Sequence, residues 1–192
     1  MKTVIIALCL LLFSTQSNTE LAIQAEPEVT NITRVEEYDS SQEEFEALCV
    51  ALTPTLNQED IAILANVLYG EAGGVKSTTQ QSAVVWCILN RVDAGYGSIK
   101  QVVTAPHQFG GYNANRRYTT QAQINQYNHC VELVTDVLLR WQIEKTDYAY
   151  SVGRTLPSDY LWFVGFDGEN HFENQFRSRI YWDWSLGTPY DN

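Results

Sequence analysis

A chain of 192 residues holds one domain with a sizeable core and hardly two. Its formal charge of −11 is unevenly spread: residues 18–60 carry eleven Asp or Glu and one basic residue, Arg34, whereas residues 61–192 carry twelve acidic and ten basic residues. With no basic patch, a nucleic-acid partner is excluded, and the acidity is confined to a segment that cannot bury much apolar surface.

In chain order, Lys2 precedes ten consecutive apolar residues, Val4 to Phe13, and then a polar stretch. This is the layout of a secretory signal peptide, taken as residues 1–25, with cleavage after Ser17 or Ala25. The apolar run is too short to span a bilayer, which needs roughly 20 residues. Secretion without stable membrane insertion is therefore expected, against the lesser alternative of an uncleaved anchor. No small residue precedes Cys9 in the way a lipid-attachment site requires. Residues 26–52 follow as an acidic, solvated linker, and residues 53–192 as the folded domain.

The folded part opens with two competing helix caps, Thr55 of a capping box and Asn57. Ile61, Leu64, Ala65, Leu68 and Ala72 then form one stripe at helical spacing. Glu71 lies at the edge of that stripe, and Gly73-Gly74 end the helix. A second helix begins near Ser77–Thr79 and runs through Val92. Its seven consecutive apolar residues, Ala83 to Leu89, predict a central buried helix. A short helix is expected over Ser98–Val103, after which Pro106 and Gly110-Gly111 bracket His107-Gln108-Phe109. A third long helix covers Thr120–Ile143 and presents Ile124, Tyr127, Val131, Val134, Leu138 and Trp141. The segment DYLWFVGFDGENHFENQF reads as strand, turn, strand about Asp167-Gly168. Ile180, Trp182 and Trp184 alternate, which suits one more strand or an extended closing segment. The class is α+β: a mainly helical domain around a buried central helix, with a small antiparallel sheet.

Four cysteines are present, and three (Cys49, Cys87, Cys130) remain after processing, so at most one intramolecular disulfide forms. Cys87 in an apolar run and Cys130 on a helix face read as small buried hydrophobes. No Cys or His spacing suggests a metal. A Cys87-based peptidase is disfavoured, because a thiol in an apolar helix is inert. His107 reads as a loop polar group and His129 as a helix-surface residue.

Glu71 is the candidate for chemistry. A carboxylate beside apolar side chains is poorly solvated when charged, so it tends to hold a proton. A protonated Glu in a cleft is what cleavage of a glycosidic bond requires, because the leaving oxygen must be protonated. The bland alternative is a solvated or capping Glu at a helix end.

Three motifs in order add to this. Leu64-Ala65 leads through an apolar helix to Tyr69-Gly70-Glu71-Ala72. A second helix ends in Leu89-Asn90-Arg91-Val92. A short helix, Ile99 to Val103, precedes Gln108-Phe109. Together they resemble the cell-wall hydrolases of the spore-cortex-lytic SleB type, over roughly Leu56 to Phe172. The resemblance implies a lysozyme-like fold and a lytic transglycosylase with Glu71 as its acid/base. It further implies a peptidoglycan glycan strand as substrate, a monomeric enzyme, and no metal or organic cofactor. Tyr69, Asn90, Arg91, Gln108 and Phe109 become candidate cleft residues. Arg91 is then a brace for Glu71, Gln108 a hydrogen-bond partner for an N-acetyl or hydroxyl group, and Phe109 a stacking surface. The family closes with Gly, a His, and a Phe two residues after it. Here Gly168-Glu169-Asn170-His171-Phe172 puts Asn170 at the His position and His171 one later, and a one-residue slip in a strand turns a side chain to the other face. Both are therefore candidates.

Ordinary glycosidases need two carboxylates, and no second acid stands in a comparably dry context; Asp93 and Asp167 look solvated. A transglycosylase avoids the need, because the muramic acid's own 6-hydroxyl is the nucleophile. A hydrolytic muramidase using Asp93 or Asp167 is the alternative, and a non-catalytic wall-binding module, suggested by the departing GENHFEN ending, is the rival from another class. Trp162, Phe163, Trp182 and Trp184 are expected in the core more than in a sugar cleft.

Overall fold

The computed structural model describes residues 40–185. The expected signal peptide, Cys9 and the first part of the acidic linker, residues 26–39, lie outside the described residues. The chain divides into two compact units, Met1–Ala47 and Leu48–Asn192. Of the first unit, residues 40–47 are described; they are helical and largely exposed, with Gln42 donating to Glu46 one turn on at 3.0 Å. Residues 40–52, read above as the end of a linker, thus form a helix, α1 (Ser40–Leu52). Its Gln, Glu, Ala and Leu are good helix formers, a local preference that charge counting overlooks.

In the second unit α1 ends by burying Cys49, whose carbonyl accepts the Thr53 hydroxyl at 2.6 Å. A 3₁₀ turn (Thr53–Thr55) leads into α2 (Gln58–Ala72). Asn57 is the cap of α2, its side chain accepting from the Glu59 N–H at 2.9 Å. Thr55 instead donates its hydroxyl back to the Leu52 carbonyl. The predicted stripe of α2 is buried throughout, and Ile63 and Val67 are buried as well. The buried face is broader than one stripe because α2 packs against three neighbouring helices.

Helix α3 (Thr78–Asp93) is capped by Ser77, and every residue from Thr79 to Arg91 is buried. It touches α2, the short helix α4 (Ile99–Thr104), the long helix α5 (Gln121–Ile143) and both strands. It is the expected central helix. Capping boxes start the other two: Ser98 with Gln101 for α4, and Thr120 with Gln123 for α5.

The inward face of α5 differs from expectation. Cys130, Leu133, Val134, Val137, Leu138 and Ile143 are buried, whereas Ile124 is exposed and Tyr127, Val131 and Trp141 are half-buried. The core stripe is turned toward Cys130, Leu133 and Val137. Trp141 stays at the rim because its indole N–H donates to Asp93 at 2.8 Å while Lys145 sits over its ring. An aromatic residue with a polar handle satisfies that handle at an edge more readily than in a core.

Strands β1 (Trp162–Phe166) and β2 (Glu169–Glu173) form an antiparallel hairpin in which Phe166 pairs with Glu169. The turn is Asp167-Gly168, both left-handed (φ 54° and 80°), as a two-residue type I′ hairpin requires. Trp182 and Trp184 form no third strand. One bridge, Glu173 to Tyr181, leaves an extended closing segment whose Trp182 N–H donates to the Phe172 carbonyl at 2.9 Å. The described fold is therefore helical with a small two-stranded antiparallel sheet. No helix among the described residues is long and apolar enough to cross a membrane.

Candidate active site

Glu71 lies in the last turn of α2 and is half-buried. Its Oε1 accepts the backbone N–H of Gly111 at 2.6 Å, across 40 residues of sequence. This bond exists because two backbones touch. A Cβ on Gly70 would lie 2.1 Å from the Gly111 carbonyl oxygen, and a Cβ on Gly111 would lie 2.5 Å from the Gly70 carbonyl carbon. Only glycine at both positions lets the loop come close enough to meet the carboxylate. One turn earlier on α2, Asn66 fixes the same loop. Its amide donates to the Asn113 carbonyl and its oxygen accepts the Asn113 N–H, both at 2.9 Å. The second Glu71 oxygen, Oε2, accepts from no group among the described residues.

Beside the acid stands a cluster that the sequence did not single out. The Arg116 guanidinium donates to the Gly111 carbonyl and lies 4.9 Å from the centre of the Tyr69 ring. Tyr69 meets Tyr118 edge-on at 5.0 Å, and Tyr118 stacks on Tyr127 at 4.3 Å. Burial pushes the Tyr118 hydroxyl up to about 12. Tyr69, a candidate from its place beside Glu71, is thus half of a cation–π pair.

Arg91 and Gln108 meet on the other side of the loop. Arg91 is 6 % exposed. It donates to the Leu161 carbonyl at 2.5 Å and to Gln108 Oε1 at 2.7 Å, and its guanidinium lies between the rings of Trp162 (4.5 Å) and Phe109 (5.2 Å). The expectation that Arg91 braces Glu71 is corrected: its partners are a carbonyl, an amide and two rings, so it joins the 105–112 loop to the start of β1. Phe109 is buried against Phe163 and offers no open stacking face. Gln108 is exposed. With Arg91, Tyr96, Val102, Ala105 and Trp162 it lines a cleft of about 150 Å³. Trp162 continues outward to Phe176, at 4.9 Å. Gln108 and Gly111 are three residues apart, so the cleft and the acid's clasp are separated by at most about 11 Å of chain.

Asn90 is not a cleft residue. It is 1 % exposed, gives its amide to the Pro157 and Tyr160 carbonyls (2.8 and 2.9 Å), and accepts from Arg154 at 2.7 Å. With every polar atom engaged, it holds the segment that enters the hairpin.

In the hairpin, Asn170 faces inward with Phe172 and is 3 % exposed, its backbone N–H donating to Gln80 at 3.3 Å. His171 lies on the opposite face of the strand, half-buried with its Nε2 covered, stacked on Phe166 at 3.6 Å and 6° and 5.1 Å from the Tyr181 ring. Asn170, rather than His171, is therefore the residue directed at α3. Gln81, the next residue on α3, donates to the Ala72 and Val75 carbonyls. One turn of α3 thus ties the hairpin to the helix end that carries Glu71.

The other acids are engaged elsewhere. Asp93 pairs with Lys145 at 2.8 Å and accepts from Trp141, and Asp167 sits in the hairpin turn. One dry carboxylate escaped the sequence reading. Glu173 is 5 % exposed, and its Oε1 accepts the Arg179 N–H at 2.5 Å. Its burial comes from the closing segment folding back through the Glu173–Tyr181 bridge, a contact that strand alternation does not reveal. It clasps a loop containing two left-handed arginines, Arg177 and Arg179 (φ 58° and 59°).

The three described cysteines are buried, and Cys87 and Cys130 form no disulfide. Burial pushes the Cys87 thiol up to about 12 and the Cys130 thiol up to about 11. Neither supplies a thiolate near neutral pH. Iodoacetamide at pH 8 is expected to leave both unmodified in the folded protein and to label both in denaturant, as read by peptide mass mapping. Rapid native labelling of Cys87 would revive a thiol mechanism. His107 and His129 are both exposed, His129 lying 3.1 Å from Gln81 Oε1. Among the described residues, no group of three or more His, Cys, Asp or Glu is gathered as a metal site would need.

Tyr69 is thus brought to Glu71, Arg91 and Gln108 to the neighbouring cleft, and Asn90, Phe109 and His171 to neither. Gly111, which donates to the acid, and Arg116, which donates to the Gly111 carbonyl, lie 40 and 45 residues beyond it. The Gly110-Gly111 pair was their one visible trace. The chain matches no family model, no curated protein and no solved structure.

Proposed function

We propose that this chain is a secreted peptidoglycan-cleaving enzyme with a lysozyme-like domain. It acts as a monomeric lytic transglycosylase on the bond between N-acetylmuramic acid and N-acetylglucosamine. The observation that carries the reading is the state of Glu71: half-buried at the end of a helix that packs one face into the core, with one oxygen fixed by the Gly111 N–H and the other unengaged among the described residues. A positioned carboxyl of this kind delivers a proton to a bridging oxygen and, once ionised, accepts the proton of the attacking hydroxyl. The muramic 6-hydroxyl attacks the anomeric carbon, the glycosidic bond breaks, and the products are a 1,6-anhydro end and a free 4-hydroxyl. No metal or cofactor is needed, because the nucleophile belongs to the substrate.

A second support is the small cleft lined by Gln108, three residues before the Gly111 that holds the acid. Tyr96 and Trp162 line it with aromatic surface, and the exposed Gln108 brings an amide donor. Transglycosylation is favoured over hydrolysis because Asp93, Asp167 and Glu173 are each committed to partners or turns that do not include Glu71. Mass spectrometry of digested peptidoglycan tests this. Anhydro-muramic ends are expected. Reducing ends would establish the muramidase instead, and intact strands with retained wall binding would establish a binding module.

A further inference from the structure

We propose that residues 174–180 extend the cleft into a docking surface for the stem peptides of a peptidoglycan strand, Phe176 lengthening the aromatic wall and Arg177 and Arg179 receiving stem carboxylates. The proposal rests on the reading of peptidoglycan as the substrate. The loop adjoins the cleft through its rings: Tyr96 lies 6.2 Å from Trp162, and Trp162 lies 4.9 Å from Phe176. The Arg177 guanidinium stands 5.0 Å from the centre of the Phe176 ring. A surface that starts at Gln108 and Trp162 thus continues through Phe176 to a cation.

Three observations set this loop apart from an ordinary connection. Phe176 is 59 % exposed and Ile180 69 %, and both arginines are exposed beside them; aromatic and arginine side chains together are the composition of a binding surface. Neither arginine forms an ion pair with an Asp or Glu among the described residues, on a chain whose formal charge is −11, so both charges are open to an outside anion. Both arginines are left-handed, with φ of 58° and 59°. Residues with a Cβ seldom adopt this conformation, and the surroundings must impose it. Here the buried Glu173 accepts the Arg179 N–H at 2.5 Å, and the Gln175 carbonyl accepts the Ser178 N–H at 3.0 Å. The backbone is held in shape while its apolar and charged side chains are left to solvent, which is preorganisation for a ligand.

Peptidoglycan supplies the matching chemistry. Its muramic acids carry short peptides with free carboxylates, set off to the side of the glycan. With the glycan along Gln108 and Trp162, a stem leaving the strand meets Phe176 and the two arginines, and a guanidinium pairs with a carboxylate through two parallel hydrogen bonds.

The test is calorimetric binding to full-chain Glu71→Gln, so that the ligand is not consumed. The ligands are short soluble glycan oligomers that keep their stem peptides, and the same oligomers stripped of them by an amidase. The oligomers with stems are expected to bind about 3- to 30-fold tighter, the contribution of two exposed ion pairs. That advantage shrinks as salt is raised. It vanishes in the double variant Arg177→Asn with Arg179→Asn, because Asn removes the charge yet enters the left-handed region readily. Lys100→Asn, at an exposed lysine on α4, keeps it. Phe176→Ala weakens the binding of both oligomers severalfold.

Equal affinity for the two oligomers, an advantage indifferent to salt or surviving the double substitution, or unchanged binding in Phe176→Ala overturns the proposal and leaves the functional reading in place. The salt dependence needs no change in the loop, so a misfolded double variant does not suspend the test. Failure of both oligomers to bind overturns the functional reading, and the proposal with it.

Discussion

Glu71→Gln is expected to lower the rate of glycan cleavage by about 10²- to 10⁴-fold, the contribution of a positioned acid/base. The substitution is chosen for what it keeps. The Gln side-chain oxygen still accepts the Gly111 N–H, so the loop retains its clasp and no cavity opens. What is lost is a transferable proton at the second position. Thermal melting should change little, and the anhydro-muramic products should vanish together with the rate. A mutant that releases the same fragments at a comparable rate would remove Glu71 from the chemistry. A mutant that is inactive but unfolded would leave the assignment to Glu71→Asp, which keeps the acid but withdraws it by one methylene.

Gly111→Ala is the second large effect, and it acts through the backbone. The new methyl would lie 2.5 Å from the Gly70 carbonyl carbon and 2.8 Å from the Glu71 nitrogen. Both are main-chain atoms in a helix and cannot swing aside as a flexible side chain would. The loop must retreat, and the N–H that holds Oε1 retreats with it. Overpacking of this kind costs about 1–3 kcal/mol, a fall in Tm of roughly 3–9 °C for a domain of this size. Activity should fall further than stability explains, because a shift of about 1 Å at a catalytic group costs on the order of 10²-fold. Gly110→Ala is the control: a Cβ there meets nothing within 4 Å. If the two variants melt and cleave alike, the close approach is not what places the acid.

The parts of this fold that were legible in sequence are those whose cause is local. Seven apolar residues in a row announce a helix with no solvent side, and α3 is buried throughout. Asp167-Gly168 between alternating aromatics announces a two-residue turn, and both residues are left-handed. Local signals fail where competing partners decide. The helicity of residues 40–52 was hidden by their charge, and the cap of α2 went to Asn57 because the Thr55 hydroxyl had a carbonyl behind it. The α5 stripe turned because Trp141 found Asp93 and Lys145 at the rim.

The site divides along the same line. Glu71 stood out because a carboxylate at the edge of an apolar stripe is a local anomaly. Its support, Gly111, is an ordinary loop residue until the fold brings it to α2. Arg91, expected as a brace for Glu71, instead has the Leu161 carbonyl, Gln108 and two aromatic faces as partners. Glu173 was missed because its burial depends on a single bridge to Tyr181.

The two-stranded hairpin has a consequence for how the cleft behaves in time. A pair of five-residue strands is marginal alone, and the outer residues of β1, from Val164 to Phe166, are exposed. The Trp162 wall therefore belongs to an element that opens locally at low cost, whereas Glu71 and Gly70 sit on a helix packed against three others, and Gly111 on the loop that meets it. Local opening on the hairpin side is therefore expected to widen the cleft without disturbing the helix that carries Glu71.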